Sequence, residues 1–290
     1  MRNKFVIVSD STTDLPVELA NEIELVVIPL SVHIGDKTYV NYLDEREIKT
    51  KDFYDQVMNG ALPTTSQVNP TDYEDTLKPI LDAGNDVLIL SFSSALSGTY
   101  NSGRIAVETL KAEYPDRKIE IIDTKSASLG EGLLVYLAGL ERKQGKTFEE
   151  VHQFVLDTYM HIGHWFTVND INHLRRGGRI SAMSSVVANL LNIKPVMHAN
   201  EEGKLVARSK AVGRKKAIRS LVDKVKETAL DVEQTVFIGH GDDLESAEML
   251  KTELEKVLNI KKLVIHYIGP VIGAHTGQGV LAVFFLAKHR

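Results

Sequence analysis

The chain is 290 residues long, with 43% hydrophobic and 25% charged residues and a formal net charge of −5. That length suits two α/β lobes better than one core, and the acidic balance argues against general nucleic-acid binding, leaving local basic patches at most. Cysteine is absent, which excludes disulfides, zinc–thiolate centres and thiol chemistry.

Met1 to Lys4 lead straight into the short strand Phe5-Val6-Ile7-Val8, too brief for the apolar core of a signal peptide, and no apolar run approaches a membrane span. The expectation is a soluble protein of the cytoplasm. After the first strand, Ser9 to Pro16 form a loop and helix entry, with Thr13 or Asp14 as the cap. Leu25 to Val32 reads as a second strand, Ile48 to Met58 as a helix, and Leu62 to Pro70 as an irregular loop rich in turn formers. A helix over Tyr73 to Ala83 precedes the buried strand Val87-Leu88-Ile89-Leu90, and Ile105, Ala106 and Leu110 mark the helix behind it. The strand Ile119 to Asp123 and helices over Gly130 to Lys143 and Phe148 to Tyr159 complete an alternation that implies a mostly parallel, doubly wound sheet.

The pattern then changes. A strand at His164 to Val168 is followed by a Gly/Arg loop, a small-residue helix over Ser181 to Leu191, and a hairpin of Lys194–His198 with Lys204–Val206. Helices over Arg214–Thr228 and Asp243–Val257 enclose the strand Thr235–Ile238, and strands Leu263–Tyr267 and Val280–Phe285 frame a Gly-rich loop. The predicted organisation is an N-terminal α/β domain over 1–160 and a smaller α/β C-terminal domain over 161–290.

Five loops after strands could hold chemistry. In Ser9-Asp10-Ser11-Thr12, Asp10 could be a nucleophile or metal ligand, and equally a turn or helix cap, which is the favoured reading because no second carboxylate neighbours it in sequence. Pro63 to Pro70 present a run of donors between two prolines, or a plain surface loop. Ser93, Ser94 and Ser97 crowd with Gly98 and Thr99 at a strand-to-helix turn, where unpaired amides suit an anion; capping of the same turn is the competing reading. Leu174 to Ser181 place three arginines around two glycines, a match for carboxylate or phosphate, or a solvated connector. It fits neither the phosphate loop of nucleotide hydrolases nor the dinucleotide fingerprint. In Gly269 to Gly279 four glycines surround His275. His161 and His164 read as structural, Gly239-His240-Gly241-Asp242-Asp243 as a turn and N-cap, and Arg214 to Arg219 as a solvated helix face.

These loops together resemble the DegV family, which includes the fatty-acid-binding subunits of bacterial fatty acid kinases. The matching stretches are Ser9–Asp14, Thr65-Ser66-Gln67, Ser94–Tyr100, Asp123–Ser128, Leu174–Ile180, Lys194-Pro195 and His275-Thr276-Gly277, in family order across essentially the whole chain. Val68 and Gln278 stand where the family often has proline. The resemblance implies one long-chain fatty acid in a buried tunnel between two domains. Its carboxylate would be held by Thr65, Ser66, Ser93 or Ser94, Ser97 and Gly98, with His275 and Thr276 nearby. It also implies that a separate ATP-binding kinase phosphorylates the bound carboxylate for phospholipid synthesis, with Arg175, Arg176 and more weakly Lys204 facing that partner. No stand-alone catalysis, metal or further cofactor is implied, and lipid exchange would involve transient membrane contact. Leu190, Leu191, Ile193, Val196 and Ile272 are candidate tunnel residues, though any core would contain them. The rival expectation is an acyl or phosphoryl ester hydrolase using Asp10 or a Ser94/His275 pair.

Overall fold

The computed structural model describes residues 5–180 and 192–290. The predicted helix at Ser181 to Leu191, with Leu190 and Leu191, lies outside the described residues. The first apolar run becomes β1 (Phe5–Asp10), and after α1 (Val17–Glu22) the chain returns as β2 (Val26–Ile28), parallel to β1 with Val8 opposite Val26. The single strand expected from Leu25 to Val32 is broken at Pro29, whose ring fixes φ and removes a ladder donor. Beyond it, β3 (Ser31–Ile34), β4 (Lys37–Val40) and β5 (Thr64–Ser66) form a separate antiparallel sheet with β3 in the middle. The Leu62–Pro70 segment is therefore not wholly irregular. α2 (Thr50–Met58) bridges β4 and β5, and α3 (Pro70–Asp82) opens on an Asn69/Asp72 capping box.

Next come β6 (Asp86–Ser91), buried along its whole length, α4 (Thr99–Glu113), β7 (Ile119–Asp123) and α5 (Leu129–Lys143). The parallel sheet has the order β2-β1-β6-β7. Helices α3 and α4 cover one face and α5 the other, as a doubly wound sheet requires.

After α6 (Phe148–Thr158) the second half builds a mixed sheet. Its strands are β8 (Ile162–Thr167), β9 (Ile193–Ala199), β10 (Leu205–Val212), β11 (Gln234–His240), β12 (Ile260–Tyr267) and β13 (Leu281–Leu286). The order is β10-β9-β8-β13-β11-β12, with β11 and β12 parallel and the other neighbours antiparallel. The shorter half of the chain thus has the wider sheet. α7 (Asn172–Arg176) follows β8, α8 (Arg214–Thr228) and α9 (Leu244–Leu254) pack on the outer face, and α10 (Pro270–Thr276) occupies the stretch expected to be a Gly-rich loop. Pro270 at the first helical position starts that short helix, and Asp243 caps α9 by accepting from Ser246 N. Among the described residues, no helix is long and apolar enough to cross a membrane.

α5 joins the two halves. It packs against β1 and β6 on one side and β8, β11 and β13 on the other, and Leu133, Leu134 and Val135 are fully buried. Each such side chain contributes about 2 kcal/mol by leaving water. Two glycines allow the close approach: a Cβ at Gly132 would sit 2.5 Å from the Thr13 carbonyl, and one at Gly130 2.5 Å from Cδ2 of His164. His164 is buried, with Nδ1 donating to Ile162 O at 2.9 Å, and His161 Nδ1 likewise donates to Ala287 O at 3.0 Å. Both histidines are structural.

Candidate functional site

A cavity of about 120 Å³ lies where the loops of the two halves converge. Leu30, Phe92, Leu96, Leu174, Leu205 and Val271 make it apolar, and Ile272 joins them from α10. Its polar lining comes from Thr65 and Gln67 in β5 and its exit, Ser97 in the β6–α4 turn, Arg179 after α7, and His275 and Thr276 in α10. A second cavity of about 290 Å³ shares Thr65, Arg179 and His275 and adds His173 and Arg176. One space is greasy, its neighbour is cationic, and the same three side chains stand between them.

The strand pairing of β5 decides which hydroxyl faces inward. Alternation turns Thr65 toward α10, where its Oγ1 lies 2.9 Å from His275 Nε2. Ser66 points the other way, 2.6 Å from His33 Nε2, and lines neither cavity. His275 is mostly buried, and burial, then the Arg179 guanidinium, lower its pKa from 6.5 to about 4. At neutral pH it is an uncharged imidazole. The Gly-Gly loop presses on its far side: a Cβ at Gly177 would sit 3.2 Å from Cε1 of His275 and closer still to Nδ1.

The three serines of the β6–α4 turn part company. Ser93 is fully buried and donates to Gly203 O at 3.0 Å, tying the turn to the β9–β10 hairpin. Ser94 faces outward, its amide donating to Asp123 Oδ1 and its hydroxyl accepting from Lys125 Nζ at 3.3 Å. Ser97 reaches the cavity wall, its Oγ 2.9 Å from Thr99 Oγ1. Gly98 lies under Gln67, where a Cβ would come within 2.8 Å of Nε2. Thr276 Oγ1 donates to Ile272 O at 3.0 Å within α10.

The arginines also separate. Both Arg175 and Arg176 are exposed, and Arg176 lines the second cavity with Nη2 3.1 Å from His173 Nδ1. Burial, then Arg176, lowers the His173 pKa, so the ring accepts this hydrogen bond as a neutral imidazole. Arg179 donates from Nε to Leu96 O at 3.1 Å and from Nη1 to Gly177 O, fixing its guanidinium between the cavities. Lys204 is exposed, pairs with Glu202 and lines neither space. Of the candidate tunnel residues, Ile272 lines the cavity, Ile193 packs on the central core, and Val196 belongs to the core under α8.

The ester-hydrolase pairing is not assembled. His275 bonds Thr65 while Ser94 is held by Asp123 and Lys125. Asp10 is 1% exposed, and its oxygens accept from Thr12 and from Phe92 N, capping the turn that follows β1. Among the described residues no cluster of three or more His, Asp or Glu is arranged for a metal.

The family model described as "Uncharacterised protein, DegV family" matches residues 4–288. A DegV domain-containing protein of Clostridium perfringens is 42% identical over 284 residues, covering 98% of this chain and 97% of the relative. A fatty acid binding DegV family protein from Thermus thermophilus superposes with a TM-score of 0.88 at 30% identity, over 99% of this chain and 100% of that one. A fatty acid binding DegV family protein from Streptococcus agalactiae gives 0.87 at 32% identity, again over 99% and 100%. By this end-to-end match, and by its α/β fold, the chain belongs to the DegV family.

Proposed function

We propose that this protein binds one long-chain fatty acid, its carboxylate at Thr65 and His275 and its first methylenes in the apolar cavity. The observation that supports this best is the shared wall of Thr65, Arg179 and His275 between an apolar and a cationic space. A carboxylate cannot be buried unpaired. When His275 Nε2–H donates to Thr65 Oγ1, the Thr65 hydroxyl hydrogen is free for the carboxylate, and Arg179 supplies the countercharge. Each methylene withdrawn from water adds about 0.8 kcal/mol. The described cavity, about 120 Å³, is below the roughly 300 Å³ at which small-molecule pockets begin, so these walls suit the head and the first methylenes. The solved fatty acid binding relatives support the ligand class.

The second cavity is the natural exit for the carboxylate's chemistry. We read the chain as a carrier subunit with two domains meeting near residue 160, active in the cytoplasm and in transient contact with membranes. A separate ATP-dependent kinase would phosphorylate the presented carboxylate, giving an acyl phosphate for phospholipid synthesis. Arg176 and Arg179 face that space, Arg175 the surface beside it. The test is titration with oleate of the wild type and Thr65→Val, expected to bind about tenfold more weakly through loss of one hydrogen bond to a charged group. Unchanged affinity in Thr65→Val would remove the carboxylate from this position.

A further inference from the structure

Two carboxyls lie at the centre of the molecule, Asp10 at 1% and Glu131 at 0% exposure, outside both cavities. Their partners differ in kind. Asp10 Oδ1 accepts from Thr12 N at 3.0 Å and Thr12 Oγ1 at 2.5 Å, and its Oδ2 accepts from Phe92 N at 3.1 Å. Both Asp10 oxygens accept a fixed backbone amide, which favours the ionised form, while burial, the larger effect, raises the Asp10 pKa. Among the described residues Glu131 meets two hydroxyl oxygens, Ser9 Oγ at 3.0 Å from Oε1 and Thr12 Oγ1 at 2.9 Å from Oε2.

A hydrogen inventory places the proton. The Ser9 hydroxyl is 2.6 Å from the Leu90 carbonyl, which can only accept, so its one hydrogen goes there. The one Thr12 hydrogen goes to Asp10, the shorter of its two carboxyl contacts at 2.5 Å against 2.9 Å. Neither hydroxyl has a hydrogen left for Glu131. An ionised Glu131 would set lone pairs against lone pairs at both hydroxyls beside a second buried charge, whereas a carboxylic acid brings one donor, which meets the Thr12 oxygen and leaves Ser9 Oγ as the single unsatisfied contact. Burial, then the nearby Asp10, raise the Glu131 pKa in the same sense.

Asp10 and Ser9 both end on the exit of β6, at Phe92 N and Leu90 O, and Phe92, Leu96 and Ser97 form one wall of the apolar cavity. We propose that Glu131 is a positioning residue for the acyl site, donating a hydrogen bond to Thr12, which donates to Asp10, so that the chain of three holds the Phe92–Ser97 turn in place. This rests on the cavity being the acyl site, so one arm of the test is independent of lipid.

Glu131→Gln keeps a neutral side chain with an N–H for Thr12, Glu131→Ala removes the donor, and Thr12→Val cuts the relay at nearly constant shape. In protein shown to be folded by circular dichroism, oleate affinity of Glu131→Gln should stay within about threefold of wild type, while Glu131→Ala and Thr12→Val lose about tenfold. Should Glu131→Ala fail to fold, Glu131→Gln and Thr12→Val decide. In protein labelled with carboxyl-¹³C glutamate, one resonance should hold the protonated position at about pH 7 and vanish in Glu131→Gln. Weak binding by Glu131→Gln, or every glutamate resonance in the ionised position, would overturn the proposal. If the wild type binds no oleate, the acyl reading fails while the resonance still reports whether Glu131 has its proton.

Discussion

The two glycines of the arginine loop are adjacent, yet the structure predicts different consequences for replacing them. Gly177 has ordinary helical angles, φ −73° and ψ −10°, so alanine there would gain about 1 kcal/mol of backbone preference. Its new Cβ, however, would collide with the His275 ring, 3.2 Å from Cε1 and closer to Nδ1. Overpacking of this kind costs about 1–3 kcal/mol, relieved most simply by shifting the ring, which disturbs its hydrogen bond with Thr65. Gly178 has φ +68° and no atom within 4 Å of where a Cβ would stand, so alanine there meets only left-handed strain of about 1 kcal/mol. Both variants should lose modest stability in urea unfolding. Only Gly177→Ala should also bind oleate more weakly, by about tenfold, since the head group loses a hydrogen-bonding partner. Wild-type affinity in Gly177→Ala, or equal loss in both variants, would refute the placement of His275 against this loop as the setting of the head group.

Three further outcomes follow from the same geometry. His275 resists protonation down to about pH 4 in the folded state against 6.5 when unfolded. The unfolded state therefore takes up the proton first, and stability falls as pH drops through that window; His275→Gln should remove up to about 3 kcal/mol of the acid loss, read from urea midpoints across the range. Asp14 behaves oppositely, since burial raises its pKa from 3.8 to about 8, with Ser128 and Gly269 opposing the shift. Its proton is lost first on unfolding, so stability falls as pH rises toward 8, and Asp14→Asn should flatten that arm. Arg176→Ala should leave oleate binding within about twofold and abolish phosphoryl transfer by a kinase partner; a collapse of lipid affinity instead would put Arg176 in the acyl pocket itself.

Much of the scaffold was legible because its signal is local. Val87 to Leu90 had to be a buried strand, and the apolar stripe of Gly130 to Lys143 a helix, and both are so. β5 was not, because Thr64-Thr65-Ser66 has no apolar member and becomes a strand through its pairing with β3. α10 hid among glycines, one of which is small for a packing reason: a Cβ at Gly273 would meet Phe53 and Tyr54 at 2.7 Å. Hydroxyl-rich loops of the sequence do line the cavities, but which of their side chains face inward is not legible from them. Ser93 secures a hairpin and Ser94 faces out, and only the backbone direction at the turn distinguishes them from Ser97. Arg179 was visible as one of three arginines, yet Gly178 at φ +68° is what turns the chain back and brings it between the cavities. Glu131 lies in the helix expected over Gly130 to Lys143 with nothing local to mark it, and its flanking glycines are the sign that two sheets close over it.

Native mass spectrometry of the purified protein, followed by denaturing extraction and lipid analysis, tests the central claim most directly. The expected result is a single added mass equal to one long-chain fatty acid, present on purification or gained on incubation with oleate. An apo mass that stays unchanged after incubation with fatty acids would contradict the account.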